Sequence, residues 1–535
     1  MTNIAVVNDT VEAELPSEVS AADWYEIQKQ IAEVTGLSFF TPEMFNAADT
    51  YAAGTDDRAA VNAAITAAAA AKGTVLLNRK YRLNSGAVIM VANARMIGKG
   101  PSTGFVSTLA DTPGISCTGI DDCVLSDFSL DNETAHTSAF NAGVKLYQCN
   151  RFLIERLTLT NMGHSGIFLH DSNDCIVRDN TLSNWLGDQE SLGNGNGIGI
   201  YSDSSRNVIE NNKITACGWH GILIQDPDGT SGTPTDNEIR GNRIKTMWAY
   251  GIANYMVAAG KSSTIIEGNR IEDIDGGVIS SGQSGAGIYC VGAGSGGVII
   301  SKNHIKDCCK STAGTTLAPG CIGVTGIALG DKVIVSENIL EADRYDGVRV
   351  SSCPGQVVSS KNTIKHSSGN TQGSGILYSE ANGDIDGNQI TMSGDTVARG
   401  IFIYSPGALI KQLTVRGNTI LNNSYRAIDV LGNASTKLGF ITIDGNIINT
   451  TVAGGTGCYI VNADGMVVKG NIFKVGNVVL YVSNAAEVSF TGNLLKTALA
   501  SNGIQFVNAN TDSRYDASNV TDTTVLDSST GMTVE

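Results

Sequence analysis

The residues best able to do chemistry gather between positions 160 and 260. Three of the four tryptophans, Trp185, Trp219 and Trp248, fall there, as do His164, His170 and His220 of six histidines. Carboxylates interleave with them: Asp188 and Glu190 in Gly187-Asp-Gln-Glu190, then Asp226 and Asp228 in Gln225-Asp-Pro-Asp228. Aromatic faces beside hydrogen-bonding groups suit sugar rings, which offer flat C–H faces and many hydroxyls. Glycoside hydrolysis needs one carboxyl held protonated as acid and a second as base or nucleophile. Asp188, Glu190, Asp226 and Asp228 are the candidates for that catalytic pair; the default reading of an acidic loop residue is a solvated charge. A lyase would instead need a base near the uronate C5 and cations against its carboxylate. His164, His170, His220, Tyr250 and Arg426 are the parts available for it.

What must position these residues is a repeat. From residue 180 onward the phrase Asn-x-Ile/Leu/Phe recurs, from Asn180-Thr-Leu182 through Asn338-Ile-Leu340 to Asn493-Leu-Leu495, at intervals of 22 to 35 residues. Residues i and i+2 share one face of a strand, so each Asn points the same way as its apolar partner. Stacked coils then place Ile on Ile as a core and Asn on Asn as a ladder of side-chain amides. A second phrase, Gly followed by Ile or Val, recurs at 166, 221, 251, 347, 375 and 400, where the glycine is expected to let the chain turn sharply. Leucine-rich repeats also use Asn and Leu, but their L-x-x-L-x-L phrase is absent. Variable coil length around a fixed core phrase predicts an all-β chain: a single-stranded right-handed parallel β-helix. Ser126-Asp-Phe-Ser-Leu130 and Ile154-Glu-Arg-Leu-Thr-Leu159 read as earlier, less regular coils.

Aligned on this phrase, two columns precede the Gly. One holds His164, Trp219, Ala249, Tyr345 and Tyr425; the other Ser165, His220, Tyr250, Asp346 and Arg426. The candidate substrate-binding set is accordingly His164, Trp185, Trp219, His220, Trp248, Tyr250, Tyr345 and Asp346. The alternative is an ordinary solvent-facing turn with scattered aromatics.

Composition narrows the partners. With 52 acidic against 36 basic residues, the net charge of −16 would repel a duplex or an anionic membrane, and no nucleic-acid partner is expected. No apolar run reaches transmembrane length, so no membrane insertion is expected. The opening MTNIAVVNDT shows no charged-then-apolar secretion signal, so the expectation is synthesis in a cytoplasm and exit by another route. Eleven cysteines make no CxxC pair, and no EF-hand or nonapeptide calcium repeat occurs. No metal and no cofactor are expected; the thiols read as buried fillers.

A solenoid needs capped ends. Residues 56–71, DDRAAVNAAITAAAAA, predict a helix that plugs the N-terminal end of the core. This helix lies in a longer stretch, 41–83, in which Thr41-Pro-Glu-Met-Phe45, Gly54-Thr-Asp-Asp57 and Gly73-Thr-Val75 with Tyr81 are spaced along about 40 residues. The stretch resembles the opening of pectate-lyase-superfamily β-helices, above all bacteriophage tailspikes, with a degraded G-D-G and no Pro or Gly before Tyr81. Residues 20–36 predict a short helix, with Ser20 and Asp23 as capping pair and Gly36 as stop. Its stripe Trp24, Ile27, Ile31 and Val34 either packs on the solenoid end or, as the resemblance implies, joins three chains.

The resulting division is an attachment segment over 1–40, an entry with capping helix over 41–100, the β-helix over 101–500, and the solenoid's end over 501–535. The resemblance implies a virion-associated spike that binds and cleaves a bacterial capsular or exopolysaccharide, as a homotrimer held to the virion tail or baseplate through residues 1–40. The polar C-terminal residues show no separate trimerisation module. A non-catalytic adhesin and a cellular polysaccharide lyase or epimerase are the alternatives. Alginate C5-epimerases carry Y-G-F-D-P-H; here Gly166-Ile-Phe-Leu-His170 keeps Gly and His but places Phe168 where that family has Asp, which argues against an epimerase.

Overall fold

In the computed structural model the described residues are 38–47, 54–109, 112–133, 142–185, 195–225, 234–255, 263–274, 285–292, 297–308, 320–342, 345–366, 373–392, 398–407, 412–422, 425–434, 438–450, 455–497, 503–507, 514–515, 520–521, 525–527 and 533–534. The expected helix over 20–36 lies outside them.

Each coil contributes three short strands, and every strand pairs in parallel with its counterpart one coil on. Three sheets therefore run the length of the solenoid. The front sheet includes Ser165–His170, His220–Gln225 and Arg426–Gly432. The flank sheet includes Ile176–Arg178 and Val208–Glu210. The back sheet includes Thr181–Trp185 and Lys213–Thr215. At Val348–Ser360 and Ser374–Asp386 one continuous strand turns the corner from front to flank. The fold is the expected all-β parallel β-helix, and its strands continue in register to Thr533–Val534.

The corner between flank and back shows why the Asn phrase recurs. One residue in the left-handed region bends the chain, and the Asn follows it at once. Seven of the twelve bending residues are glycine: 241, 268, 387, 417, 445, 470 and 492, with φ between 59° and 66°. All twelve asparagines from Asn180 to Asn493 are at most 2% exposed. From Asn212 to Asn493 each Oδ1 accepts two hydrogen bonds from the Asn one coil before, and Asn180 Oδ1 accepts from Leu157 N. Asn303 donates to Asn338 Oδ1 from its backbone at 2.9 Å and from Nδ2 at 3.0 Å, and Nδ2 also donates to Ile266 O at 2.9 Å. A buried amide with every group satisfied fixes both rise and phase of the next coil.

The Gly-Ile phrase works differently from expectation. Gly166, Gly221, Gly251, Gly347, Gly375 and Gly400 do not sit at positive φ. Gly221, Gly251, Gly347, Gly375 and Gly400 are small because the isoleucine of the Asn phrase presses on them. A Cβ at Gly221 would lie 2.5 Å from Ile244 Cγ2 and 2.6 Å from Gly251 O, and one at Gly347 would lie 2.6 Å from Ile364 Cγ2. The two repeated phrases are halves of one contact.

The N-terminal end is closed by helix α1, Arg58–Ala70, which buries Val61, Ala64, Ile65 and Ala68 against the first coils. Its N-cap Asp57 accepts from Arg82 N at 3.0 Å. Glu43 of the Thr-Pro-Glu-Met-Phe motif accepts from Tyr81 Oη at 2.7 Å and Arg79 Nε at 3.0 Å, joining the two pieces of that stretch. The ten described cysteines are free and buried; Cys309 lies outside the described residues.

Breaking one rung should unseat its neighbours. Asn338→Ala removes the acceptor for two buried Asn303 donors, so chemical denaturation should show a loss of about 2–4 kcal/mol. Gly221→Ala should lose about 1–3 kcal/mol through overpacking against Ile244.

Candidate functional site

The front sheet presents an outward face along the whole axis. Residues just after the Gly-Ile phrase point out, whereas Ile167, Leu169, Ile222 and Ile224 point into the core. One outward column runs Lys145, Phe168, Gly199, Leu223, Ala253, Tyr289, Gly323, Arg349, Leu377, Phe402, Asp429, Tyr459 and Tyr481. Its N-terminal part carries a second apolar cluster outside the main core: Phe168, Tyr201, Leu223, Tyr250 and Ala253, with Trp219, Tyr255 and Tyr289 half-buried over it.

Rings stack along the axis because coils repeat at about 4.8 Å. Tyr250 lies between His220 at 5.4 Å and Tyr289 at 4.9 Å, nearly parallel to both, and Tyr255 meets all three edge-on. Trp219 and Trp248 lie 6.0 Å apart beside them. His220 Nδ1 is 2.8 Å from Asn196 Oδ1, and Asn196 Nδ2 donates to Tyr201 Oη at 3.0 Å. The Asn oxygen is thereby left to accept, so Nδ1 carries the proton and buried Nε2 keeps a lone pair, unpartnered among the described residues. Burial pushes His220 down to about 3, leaving it neutral.

Beyond Tyr289 the floor drops. Gly323, Thr325, Ser351 and Ser379 line a cleft of about 340 Å³ with Tyr289 at one wall and Arg349 at the other. Arg349 Nη1 lies 3.8 Å from Asp346 Oδ2, while Asp346 Oδ1 accepts from Ser374 N at 2.7 Å. Burial raises the Asp346 carboxyl to about 6, against the opposing pull of Arg349 and Ser374. A larger hollow of about 500 Å³ lies at the front–flank corner, lined by Leu329, Asp331, Gln356 and Asp384, with no aromatic ring.

The sequence-derived residues divide by place. Trp219, His220, Trp248 and Tyr250 come together, with His164 two coils away, 5.9 Å from Phe168. His220 and Tyr250 are 2% and 1% exposed and form the bed beneath Tyr255 and Tyr289 rather than the surface itself, whereas His164, 6% exposed, lies against Phe168 and Tyr201. Tyr345 packs against the main core, apart from the platform. Asp346 stands three coils from Tyr250, about 14 Å along the axis. Trp185 is in the back sheet, opposite Met162. Asp188, Glu190, Asp226 and Asp228 lie outside the described residues. Sequence reasoning missed Tyr201, Tyr255, Tyr289, Arg349, Phe402 and Asp429, all legible as positions one or three after the core residue of the second phrase. Among the described residues no group of three or more His, Cys, Asp or Glu is placed to hold a metal ion.

The family described as right handed beta helix region matches residues 113–310 and 286–471. No curated protein matches the chain. Among solved structures, the tailspike protein of E. coli bacteriophage HK620 in complex with pentasaccharide is 13% identical, over 87% of this chain and 78% of that one, with a TM-score of 0.50. PfbA, a surface adhesin of Streptococcus pneumoniae, is 14% identical over 82% and 92%, with a TM-score of 0.42. The catalytic unit of a GH87 α-1,3-glucanase from Streptomyces thermodiastaticus is 16% identical over 79% and 66%, at 0.39.

Asp346 makes a pH prediction. The folded state holds its proton more tightly than the unfolded chain, so its contribution is full below pH 3.8 and lost as pH rises to about 6. The stability difference between wild type and Asp346→Asn, followed by denaturation from pH 4 to 7, should shift against wild type by on the order of 3 kcal/mol.

Proposed function

The chain belongs to the right-handed β-helix family, and on that footing we propose that its front face binds a polysaccharide laid along the solenoid axis. The observation that carries this reading is the ring stack His220–Tyr250–Tyr289 ending at the cleft of Gly323, Thr325 and Ser351. The half-exposed rings of Trp219, Tyr255 and Tyr289 offer apolar surface to the C–H faces of sugars, buried His220 and Tyr250 hold them from beneath, and the serine and threonine floor meets the hydroxyls. A large polar polymer needs many weak contacts in line, which an open face supplies better than an enclosed pocket. The tailspike-like opening, Thr41 to Tyr81, supports placing this face on a virion-associated spike that meets a bacterial capsular or exopolysaccharide as a homotrimer.

A second reading, cleavage of the bound chain, is favoured by Asp346. A carboxyl raised to about 6 beside a cleft is suited to act as a general acid. Its nearest buried carboxylate along the front face, Asp429, is three coils away, about 14 Å. Glycosidase pairs stand about 5–9.5 Å apart, so Asp429 is no partner for it. Binding is therefore the primary reading, and cleavage would draw its second group from elsewhere.

Purified protein titrated with a panel of capsular and exopolysaccharides should bind at least one of them. Tyr289→Ala should weaken that binding about 3- to 10-fold. Binding indifferent to Tyr289 and Tyr255 would move the site off the front face. New reducing ends without absorbance near 235 nm would establish hydrolysis, and both signals together elimination.

A further inference from the structure

Past the cleft, the front face changes character. Asp429 is fully buried although its backbone position points outward, between Phe402 and Tyr459. Two guanidiniums cover it: Arg399 Nε lies 2.6 Å and Arg426 Nη1 2.9 Å from Asp429 Oδ2. Arg399 Cζ also lies over the Phe402 ring, 4.1 Å from its centroid, and Arg426 Cζ over Tyr459, 3.4 Å away. Tyr459 in turn stacks on Tyr481 at 4.6 Å, with an interplanar angle of 4°.

These arginines differ from those of the flank. On the flank, Arg151, Arg206, Arg240 and Arg416 are half exposed and pair with acids one coil back, such as Asp122, Asp174, Glu210 and Asp386. Such exposed pairs contribute little. On the front, Arg399 and Arg426 have side chains only 23% and 17% exposed and share a single oxygen. Counting Arg349, Arg399 and Arg426 against Asp346 and Asp429 leaves a surplus of one positive charge in a chain of net −16.

Arg399 engages Asp429 through Nε alone, and among the described residues neither Nη1 nor Nη2 has a partner. A guanidinium held by its Nε edge among the Phe402 and Tyr425 rings, with its two terminal nitrogens unbonded, is a planar two-pronged donor matched to a carboxylate. Resting on the reading that the front face binds polysaccharide, we propose that Arg399, positioned by Asp429 and Phe402, receives the carboxylate of an acidic sugar in that polymer. Phe402, Tyr404 and the Tyr459–Tyr481 stack then supply ring contacts on either side. The protein would thus select uronate-bearing or otherwise carboxylated polymers over neutral ones.

The test titrates the full chain with polygalacturonate, alginate and hyaluronan, each also in carboxyl-reduced form, and with dextran and dextran sulfate. The expected result is binding of a carboxylated polymer that falls about ten-fold or more on carboxyl reduction. Arg399→Lys keeps the charge but loses the fork, so it should shrink the ratio of native to reduced binding, and Arg399→Gln, which loses both, should bring that ratio close to one. Asp429→Asn, a positioning change, should shrink the same ratio, which a general loss of fold would not do. Equal binding of native and reduced polymer, dextran sulfate binding as well as carboxylated polymers, or a preference undiminished in Arg399→Gln, would each overturn this inference while leaving polysaccharide binding intact. Failure of every polymer to bind would overturn both.

Discussion

The asparagine ladder is the constraint on which the rest of the molecule depends. A carboxamide taken out of water must have its oxygen and both its hydrogens satisfied, and here only the adjacent coils can do so. Oδ1 is filled by the previous coil's backbone and side-chain N–H groups, and Nδ2 by a carbonyl of the flank sheet. A coil shifted by one residue would leave buried donors and acceptors open on both sides. Register is therefore set locally and repeated, and error does not accumulate. The front face inherits that regularity: rings 22 to 39 residues apart in sequence lie 4.6–5.4 Å apart, nearly parallel.

The outward face also carries groups the core would not tolerate. Asp429, at 0% exposure, has two guanidiniums on one oxygen and none on the other. Asp346 is buried with one backbone donor and an arginine at 3.8 Å. Left without such partners, each would disfavour folding, because a carboxylate removed from water is stabilised only by close opposite charge or donors. Both stand where the aromatic platform is interrupted. The coils there are held as tightly as elsewhere, so the polar cluster is a local feature on a rigid frame.

Identical residues in identical environments made the solenoid legible from sequence. Asn180 through Asn493 recur because each does the same work, and α1 announced itself through alanine content. The reason for the glycines at 221 and 347 was not legible, since a missing Cβ answers to an isoleucine over 15 residues away rather than to local φ. The platform was half legible. Reading the positions before the glycine found Trp219, His220 and Tyr250. It passed over Tyr289, Arg349, Phe402 and Asp429, which follow the core residue of the second phrase and change identity from coil to coil. Repeats reveal what stays constant, and a binding face is built from what varies. The burial of Asp429 under Arg399 and Arg426 required the coils to be laid side by side.

Helix α1 has a consequence beyond stability. A parallel solenoid ends in strands whose N–H and C=O groups and open apolar cross-section are suited to receive another coil, from the same chain or from a neighbour. Val61, Ala64, Ile65 and Ala68 occupy that cross-section with a surface that has no strand edge to extend. The helix is thus a terminator: it sets the length of the stack at one end and bars head-to-tail fibre growth, the same polymerisation that unprotected β-edges invite.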